Sequence, residues 1–401
     1  MKNGKKKILS LIPNLGMGGA QRVFSNVNQV LSEEYEVVSC AFSGVTGQNE
    51  FDSSKTYFLD VDSGRTFLHK SINFVKRVRK LRKLKKRLGV TICISHMEGA
   101  NFINVLSGTC KTILLIHGSK LHDEEANSHF AFFTNFLIKR LYNKADQIVT
   151  VSRGIQEELI SHYSIKKSKC IVLNNFFDFT EIEKLSDEKI HEKYEPIFDG
   201  EKQVIIHSGR FHDQKNHTAL INIFSRLRKL NSSTILILLG DGGLKDKIIT
   251  LTKSMGLRVY VENDPVMSSF DADVFFLGIK KNPFKYIKRS NVFVFPSKWE
   301  GFPMALCEAI ICRTLVISSD CHTGPREIIH YDNVDDGKSP LGKLMSVPLA
   351  GEEYTEWANT INEISNISLS GSDYLEAFEH LEEKISKEYV SKKWINLIAS
   401  F

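Results

Sequence analysis

Short apolar runs recur along this 401-residue chain, and each stops at a glycine or small polar turn before a helix-forming segment begins. Residues 7–12, Tyr35–Ala41, Thr91–Ser95, Thr112–Ile116, Gln147–Val151 and Cys170–Leu173 form a first series. Gln203–His207, Thr234–Leu239, Val274–Leu277, Asn291–Pro296 and Thr314–Ser318 form a second. Runs this short and this rich in β-branched residues, alternating with helices, read as buried parallel strands in βαβ units. Crossovers of one hand bring the turn after every strand to the same sheet edge, where ligands bind in open α/β sheets. The alternation lapses once, in the polar, acidic segment from Asn174 to Glu201. A chain of this length exceeds one ordinary core. The expectation is a first domain over 1–175, a linker over 176–200, a second domain over 201–385 and a last helix over 386–401. That helix carries Trp394 and Ile395 on an apolar stripe.

Pro296-Ser-Lys-Trp-Glu-Gly-Phe-Pro-Met-Ala-Leu-Cys-Glu308 carries the strongest chemistry. The strand before it ends in a tight turn holding Glu300, Gly301 and Phe302, and Pro303 suits the first position of a helix on which Glu308 follows one turn later. The N–H groups of Phe302, Met304 and Ala305 at that helix start make an anion site. One carboxylate can meet sugar hydroxyls, the other a ribose, and the amides a diphosphate. Arg210, after Ser208-Gly209, and Lys215 would bring two cations to the same edge. The pattern describes a site for a nucleotide sugar. Gly16, Gly18 and Gly19 after the first strand either let a backbone approach a phosphate or sugar or only form a tight turn. His117 stands between a strand and Gly118 at an edge position, where a structural and a functional role are both open.

Other features bound the reading. No apolar run reaches the roughly 18 to 20 residues of a membrane span, and the lysines at 5–7 precede too short an apolar stretch for a signal peptide. Seven cysteines without metal or redox spacing fit a reducing compartment. Residues 1–175 hold 26 Lys+Arg against 14 Asp+Glu, a balance of +12 that leaves −6 for the rest of a chain of net +6. Much of this excess lies on a helix over 65–88, where Phe74, Val78, Leu81, Leu84 and Leu88 form one stripe. Lys76, Arg77, Arg79, Lys80, Arg82, Lys83 and Lys86 surround it. A solvated helix on a sheet is the plain reading; an anionic membrane surface is the partner that would relieve so many like charges. No interleaved aromatic or groove-reading motif points to nucleic acid. The apolar helix beginning at Phe130 is a second lipid candidate, though a core helix fits it better. Asp60-Val-Asp62 and Asp271-Ala-Asp273 have the spacing of metal-dependent transferases, but in strand-like contexts that argue against metal.

These elements together resemble the family-4 retaining glycosyltransferases of the GT-B architecture. The matching residues are Gly18-Gly19, Ser208-Gly209-Arg210 with Lys215-Asn216, Gly240-Asp241-Gly242, Phe276-Leu277-Gly278, the pair Glu300 and Glu308, and Gly324-Pro-Arg-Glu327. The segment Cys321-His-Thr-Gly-Pro-Arg-Glu-Ile328 further resembles bacterial enzymes that extend lipid-linked O-antigen, capsule and other glycan saccharides. The resemblance implies an α/β fold of two Rossmann-like domains whose parallel sheets face each other across a cleft, with the last helix crossing back to the first domain. It implies that Arg210 and Lys215 bind the diphosphate, Glu300 the transferred sugar and Glu308 the ribose. Ile279 beside Gly278 would line the base. Gly240, Asp241, Gly301 and Phe302 would complete the donor site, and His117 would stand near the donor sugar. Gly18 and Gly19 would approach donor or acceptor. A proline often found after the Gly-acid-Gly turn is replaced by Gly243. No essential metal or other cofactor is implied.

The expected activity is retaining transfer of a hexose or N-acetylhexosamine from a UDP-sugar to a polyprenyl-diphosphate-linked saccharide. Its expected place is the cytoplasmic face of the inner membrane. The alternatives are a soluble acceptor, a two-domain sugar-nucleotide epimerase and a non-catalytic binder using the basic helix.

Overall fold

The computed structural model describes residues 6–16, 18–43, 56–62, 64, 66–121, 129–330, 340–364 and 371–401. The chain divides into two compact units, one of Met1–Phe176 with Lys387–Phe401 and one of Phe177–Ser386.

The first unit runs β1 (Lys7–Ile12), α1 (Gly19–Ser32), β2 (Glu36–Ala41), β3 (Thr56–Phe58), α2 (Phe67–Leu88), β4 (Ile92–His96), α3 (Glu98–Ser107), β5 (Lys111–Ile116), α4 (His129–Leu141), β6 (Gln147–Thr150), α5 (Arg153–Tyr163) and β7 (Cys170–Val172). Its sheet is wholly parallel, in the order β3-β2-β1-β4-β5-β6-β7. Ile8, Leu9, Leu11 and Ile12 are fully buried, as a central strand covered on both faces requires. Strand order reverses between β1 and β4. The turns after these two strands therefore flank the crevice where such sheets take ligands.

The basic helix α2 starts at Thr66, whose side chain accepts from His69 N, and stops at Gly89 in the left-handed region. Its expected stripe packs inward, with Leu81 and Leu84 buried and Phe74, Val78 and Leu88 beside them. Three of the seven cations read as surface contacts are engaged within the protein. Arg77 donates to the carbonyls of Val61 (2.7 Å) and Asp62 (2.7 Å), Lys80 to that of Leu59 (2.6 Å) and Arg82 to that of Ser107 (2.8 Å). Lys85 is buried outright, its ammonium on Asn104 Oδ1 and Ser107 Oγ at 2.7 Å each. These cations satisfy strand-end and helix-end carbonyls that would otherwise lack donors. Lys76, Arg79, Lys83 and Lys86 remain exposed. Lys5, at the head of the lysine cluster, lies outside the described residues.

The second unit runs α6 (Phe179–Ser186), β8 (Gln203–Ser208), α7 (His217–Leu230), β9 (Thr234–Leu239), α8 (Lys245–Ser254), β10 (Val259–Val261), β11 (Val274–Gly278), α9 (Phe284–Ile287), β12 (Val292–Phe295), α10 (Met304–Ile311), β13 (Leu315–Ser319), α11 (Pro325–Ile329), β14 (Gly342–Met345), α12 (Gly351–Ile364) and α13 (Ser372–Ile385). This sheet is also parallel, in the order β10-β11-β9-β8-β12-β13-β14, and reverses between β8 and β12. The short edge strands β10 and β14 are additions to the sequence reading.

The segment expected as a linker is instead folded into this unit. Asp178 accepts from Glu181 N (3.0 Å) to cap α6, Phe179 and Ile182 are buried, and Phe179 packs edge-on against Phe378. Further along, Tyr194 donates its hydroxyl to Glu262 (2.6 Å). The last helix, α14 (Lys387–Ala399), belongs to the first unit, with Trp394 and Ile398 buried. Lys6 closes its C-terminal end by donating to the carbonyls of Ile398 (2.9 Å) and Ala399 (3.0 Å).

Candidate functional site

In the second unit the turns after β8 and β12 are bound to each other. Gln214 N–H groups and carbonyl meet the 298–299 backbone, with Gln214 Nε2 donating to Trp299 O and Lys298 N donating to Gln214 O, both at 2.9 Å. Lys298 holds both carboxylate oxygens of Asp213 at 2.7 Å. Between these ties Lys215 reaches Glu300, Nζ to Oε1 at 2.6 Å, with the ammonium 4.7 Å from the centre of the Phe295 ring. Both groups are largely withdrawn from water, at 17% and 6% side-chain exposure. An ammonium has three donors, so the contact to Glu300 leaves Lys215 capacity for an anion. Glu300 is fixed from behind by Thr323 Oγ1, which donates to its carbonyl.

The neighbouring turns are closed by backbone. Phe211 N donates to Asp241 O (3.0 Å), Gly209 N to Leu239 O (2.9 Å), and Gly240 N to Gly278 O (2.9 Å). Gly240 has φ +131°, and a Cβ there would come within 2.1 Å of Gly209 O. Only glycine lets these turns approach so closely. The result leaves Arg210 and Asp241 exposed at the rim, and Ile279 exposed (55%) just after the end of β11. Gly301 and Phe302 are buried in the turn before α10, which begins at Met304 with Pro303 as its cap, one residue later than the sequence suggests. Glu308 is buried on that helix. The helix's first amides have no intrahelical acceptors and point a positive dipole end toward the turn.

The first unit holds the other expected residues. Gly18 caps α1 with an extended backbone, and Asn14 Oδ1 gathers Gly16 N (3.1 Å) and Gln21 Nε2 (3.0 Å). A Cβ on Gly19 would meet nothing within 4 Å, so the protein itself does not demand that glycine. His117, half-buried after β5, is paired with a residue the sequence reading passed over: His96 at the end of β4, Nδ1 to Nε2 at 3.1 Å. His96 is followed by Met97 at φ +73°, a strained position for a residue with a side chain. Glu98 and Lys120 form an ion pair beside them. Glu158 fixes the turn after His117, accepting from Ser119 Oγ (2.5 Å) and Lys120 N (2.6 Å). Burial, and then the Lys120 charge, hold the His117 imidazole down to about 4; burial, and then the neighbouring His117, hold His96 well below its ordinary value. Both are neutral near pH 7.

Two more histidines lie beneath Lys215. His207 is fully buried with Nδ1 at 2.8 Å from Val294 O, and His217 stacks on Phe211 with ring centres 4.1 Å apart. No sequence signal separates these from ordinary core positions, since each is a single histidine at an element end. The D-x-D triplet at 271–273 is an ion-pair node: Asp273 takes Arg228 (2.8 Å) and Arg258 (2.9 Å), and Asp271 pairs with Arg258. Asp62 accepts from Asn73 Nδ2 (2.6 Å). Among the described residues no cluster of three or more His, Cys, Asp or Glu side chains is arranged to hold a metal.

Comparison with known proteins meets this geometry. Residues 17–181 match the model of Glycosyltransferase Family 4, and residues 188–335 that of Glycosyl transferases group 1. An uncharacterised glycosyltransferase of Methanocaldococcus jannaschii is 29% identical, covering 82% of this chain and 78% of its own. The N-acetylgalactosamine-N,N'-diacetylbacillosaminyl-diphospho-undecaprenol 4-alpha-N-acetylgalactosaminyltransferase of Campylobacter jejuni is 28% identical, covering 82% and 84%. The structure of Anabaena HepE in complex with UDP and glucose superposes with a TM-score of 0.74 at 16% identity, over 99% of this chain and all of that one. With two wholly parallel Rossmann-like sheets and both family models matched in succession, the chain is a GT-B glycosyltransferase related to the family-4 and group 1 enzymes.

Proposed function

We propose that this enzyme transfers a hexose or N-acetylhexosamine, with retention, from a UDP-sugar to a polyprenyl-diphosphate-linked saccharide in bacterial surface polysaccharide synthesis. The observation that carries the reading is the Lys215–Glu300 pair, 2.6 Å apart at the reversal of the second sheet. It offers a cation for a leaving diphosphate and a carboxylate for sugar hydroxyls side by side. Arg210 and the start of α10 add positive potential for the same diphosphate, Glu308 takes the ribose, and Ile279 lines the base. Gly240, Asp241, Gly301 and Phe302 shape the donor's surroundings. His117 hydrogen-bonds a sugar oxygen, and Gly18 and Gly19 give backbone access to donor or acceptor. Charge that develops on the departing phosphate is met by groups already in place, which is where such sites gain most of their rate. That phosphate then assists removal of the acceptor hydroxyl's proton on the same face. The acceptor in the name of the Campylobacter relative, a diphospho-undecaprenol saccharide, supports a lipid-linked acceptor.

The exposed face of α2 supports action at a membrane surface. Leu68 (67%), Ile72 (42%) and Val75 (46%) stand open to solvent and continue into Arg79, Lys83 and Lys86 at helical spacing, with Lys76 beside them. Apolar side chains for the acyl boundary and cations for head groups are what an interfacial helix presents. Among the described residues no helix is long and apolar enough to cross a membrane.

Two measurements test this. Thermal denaturation against a panel of nucleoside diphosphates and sugar nucleotides should show the melting temperature rising with UDP and one UDP-sugar, by mass action on the folded state; no response to any uridine nucleotide ends the donor reading. Co-sedimentation with phosphatidylglycerol-containing vesicles should fall at least about tenfold for K76A/R79A/K83A/K86A, given about 1 kcal/mol per basic residue at the surface. Binding that is equal on phosphatidylcholine vesicles would end the anionic-surface reading, and no binding to either vesicle would end the membrane reading; both leave the donor site untouched.

A further inference from the structure

His96 is fully buried, and its Nδ1 lies 3.1 Å from His117 Nε2, the two rings inclined at 22° with centres 5.2 Å apart. Its other nitrogen, Nε2, has no hydrogen-bond partner among the described residues, and the ring's neighbour on another side is the edge-on ring of Phe24 at 5.1 Å. A bond between two neutral imidazoles needs one N–H and one bare nitrogen. If His117 donated, His96 would carry its proton on Nε2 and bury an N–H without an acceptor. If His96 donates, what remains unpaired at Nε2 is a lone pair. Orphaned buried N–H groups are the rarer of the two.

We propose that His96 is a positioning residue: it donates Nδ1–H to His117 Nε2 and so fixes the His117 proton on Nδ1. His117 then meets the substrate as a hydrogen-bond donor and not as a base. The turn around it supports that role. Glu158 holds the backbone of Lys120 and the hydroxyl of Ser119, so the imidazole has a fixed seat. The charged groups beside it, Glu98 and Lys120, neutralise each other. A neutral donor fits a polarised sugar oxygen; a base would need the lone pair that His96 has occupied. This assignment rests on the reading of His117 as a substrate-binding group.

The test uses the full chain labelled with ¹⁵N-histidine, long-range ¹H–¹⁵N spectra, and the variants H96N, H96L and H117A. The Asn amide nitrogen stands close to where the imidazole Nδ1 stood and can donate in its place; Leu cannot. In the wild type the His117 signals should show a protonated Nδ1, and H96N should keep that pattern. H96L should lose it and lower kcat about tenfold, the worth of one hydrogen bond, with the donor KM changed by less than about twofold. H96N should hold kcat within about threefold. A wild-type His117 protonated on Nε2 overturns the assignment, as does an H96L variant with unchanged tautomer and unchanged kcat. Should H96L not fold, the wild-type and H96N spectra decide alone. If instead H117A transfers sugar at the wild-type rate, the placement of His117 at the substrate fails, whatever the spectra say about its proton.

Discussion

His96 with His117 in the first unit and His207 with His217 in the second both sit behind a sheet's point of reversal, yet they are built to opposite plans. The first pair shares a hydrogen bond at 3.1 Å and passes its polarity outward to a half-buried ring. The second pair meets edge to face at 4.8 Å, and neither nitrogen of His217 finds a partner among the described residues. There His207 spends one nitrogen on the Val294 carbonyl (2.8 Å), and both rings otherwise fill space among Phe211, Phe293 and Phe295, while the polar chemistry above them is left to Lys215 and Glu300. The same residue type is a donor relay at one edge and packing material at the other. What decides is whether a second polar atom lies within reach.

The sharpest way to break this contrast is at the charged edge. Lys215→Ala or Glu300→Ala should lower kcat at least about a hundredfold in a sugar-transfer assay, the scale of losing a preorganised charge-stabilising group. Lys215→Ala should also cost about 3–5 kcal/mol in denaturant titration, since it strands a buried carboxylate. K215M/E300Q should regain most of that stability with no recovery of turnover. Near-normal rates in Glu300→Ala would show that the second edge is not where chemistry happens.

A smaller effect follows from all four rings being neutral. Unfolded, each takes up a proton near its ordinary value of about 6.5. Folded, burial holds His117 and His207 down to about 4 and holds His96 and His217 well below their ordinary value. Between these values the unfolded chain binds more protons, so stability falls as pH drops from about 6.5 toward about 4. Each ring contributes up to about 1.4 kcal/mol per pH unit, measurable as urea midpoints at pH 7 and 5. The smallest effect should be His217→Phe, with stability at pH 7 changed by less than about 1.5 kcal/mol and a shallower acid slope. A large loss at neutral pH would show that His217 makes a polar contact after all.

Much of this was legible in the sequence because hydrophobic runs and turn residues are local signals. Both central strand series, the glycine turns and the basic helix follow from spacing alone. The edge strands of the second sheet did not: Val259–Val261 and Gly342–Met345 are too short to show a period. The fate of the cations on α2 was hidden for another reason. Arg77, Lys80 and Arg82 end on carbonyls that lie 15 to 25 residues away in sequence, and nothing local says that those carbonyls lack donors. The helix at 179–186 did carry a signal, Asp178 followed by Phe179 and Ile182, but its acidic surroundings outweighed it. Glu300 and Lys215 could be named in advance; that they touch could not, because the tie runs through Gln214 and the 298–299 backbone.

The return of α14 to the first unit bears on how the polypeptide is made. During synthesis every residue of the second unit leaves the ribosome before Trp394 and Ile398 can take their buried places. The lobe begun first is thus the one completed last, and until then Lys6 has no carbonyls of Ile398 and Ala399 to close upon. A fragment cut after Phe176 would be held permanently at that unfinished stage.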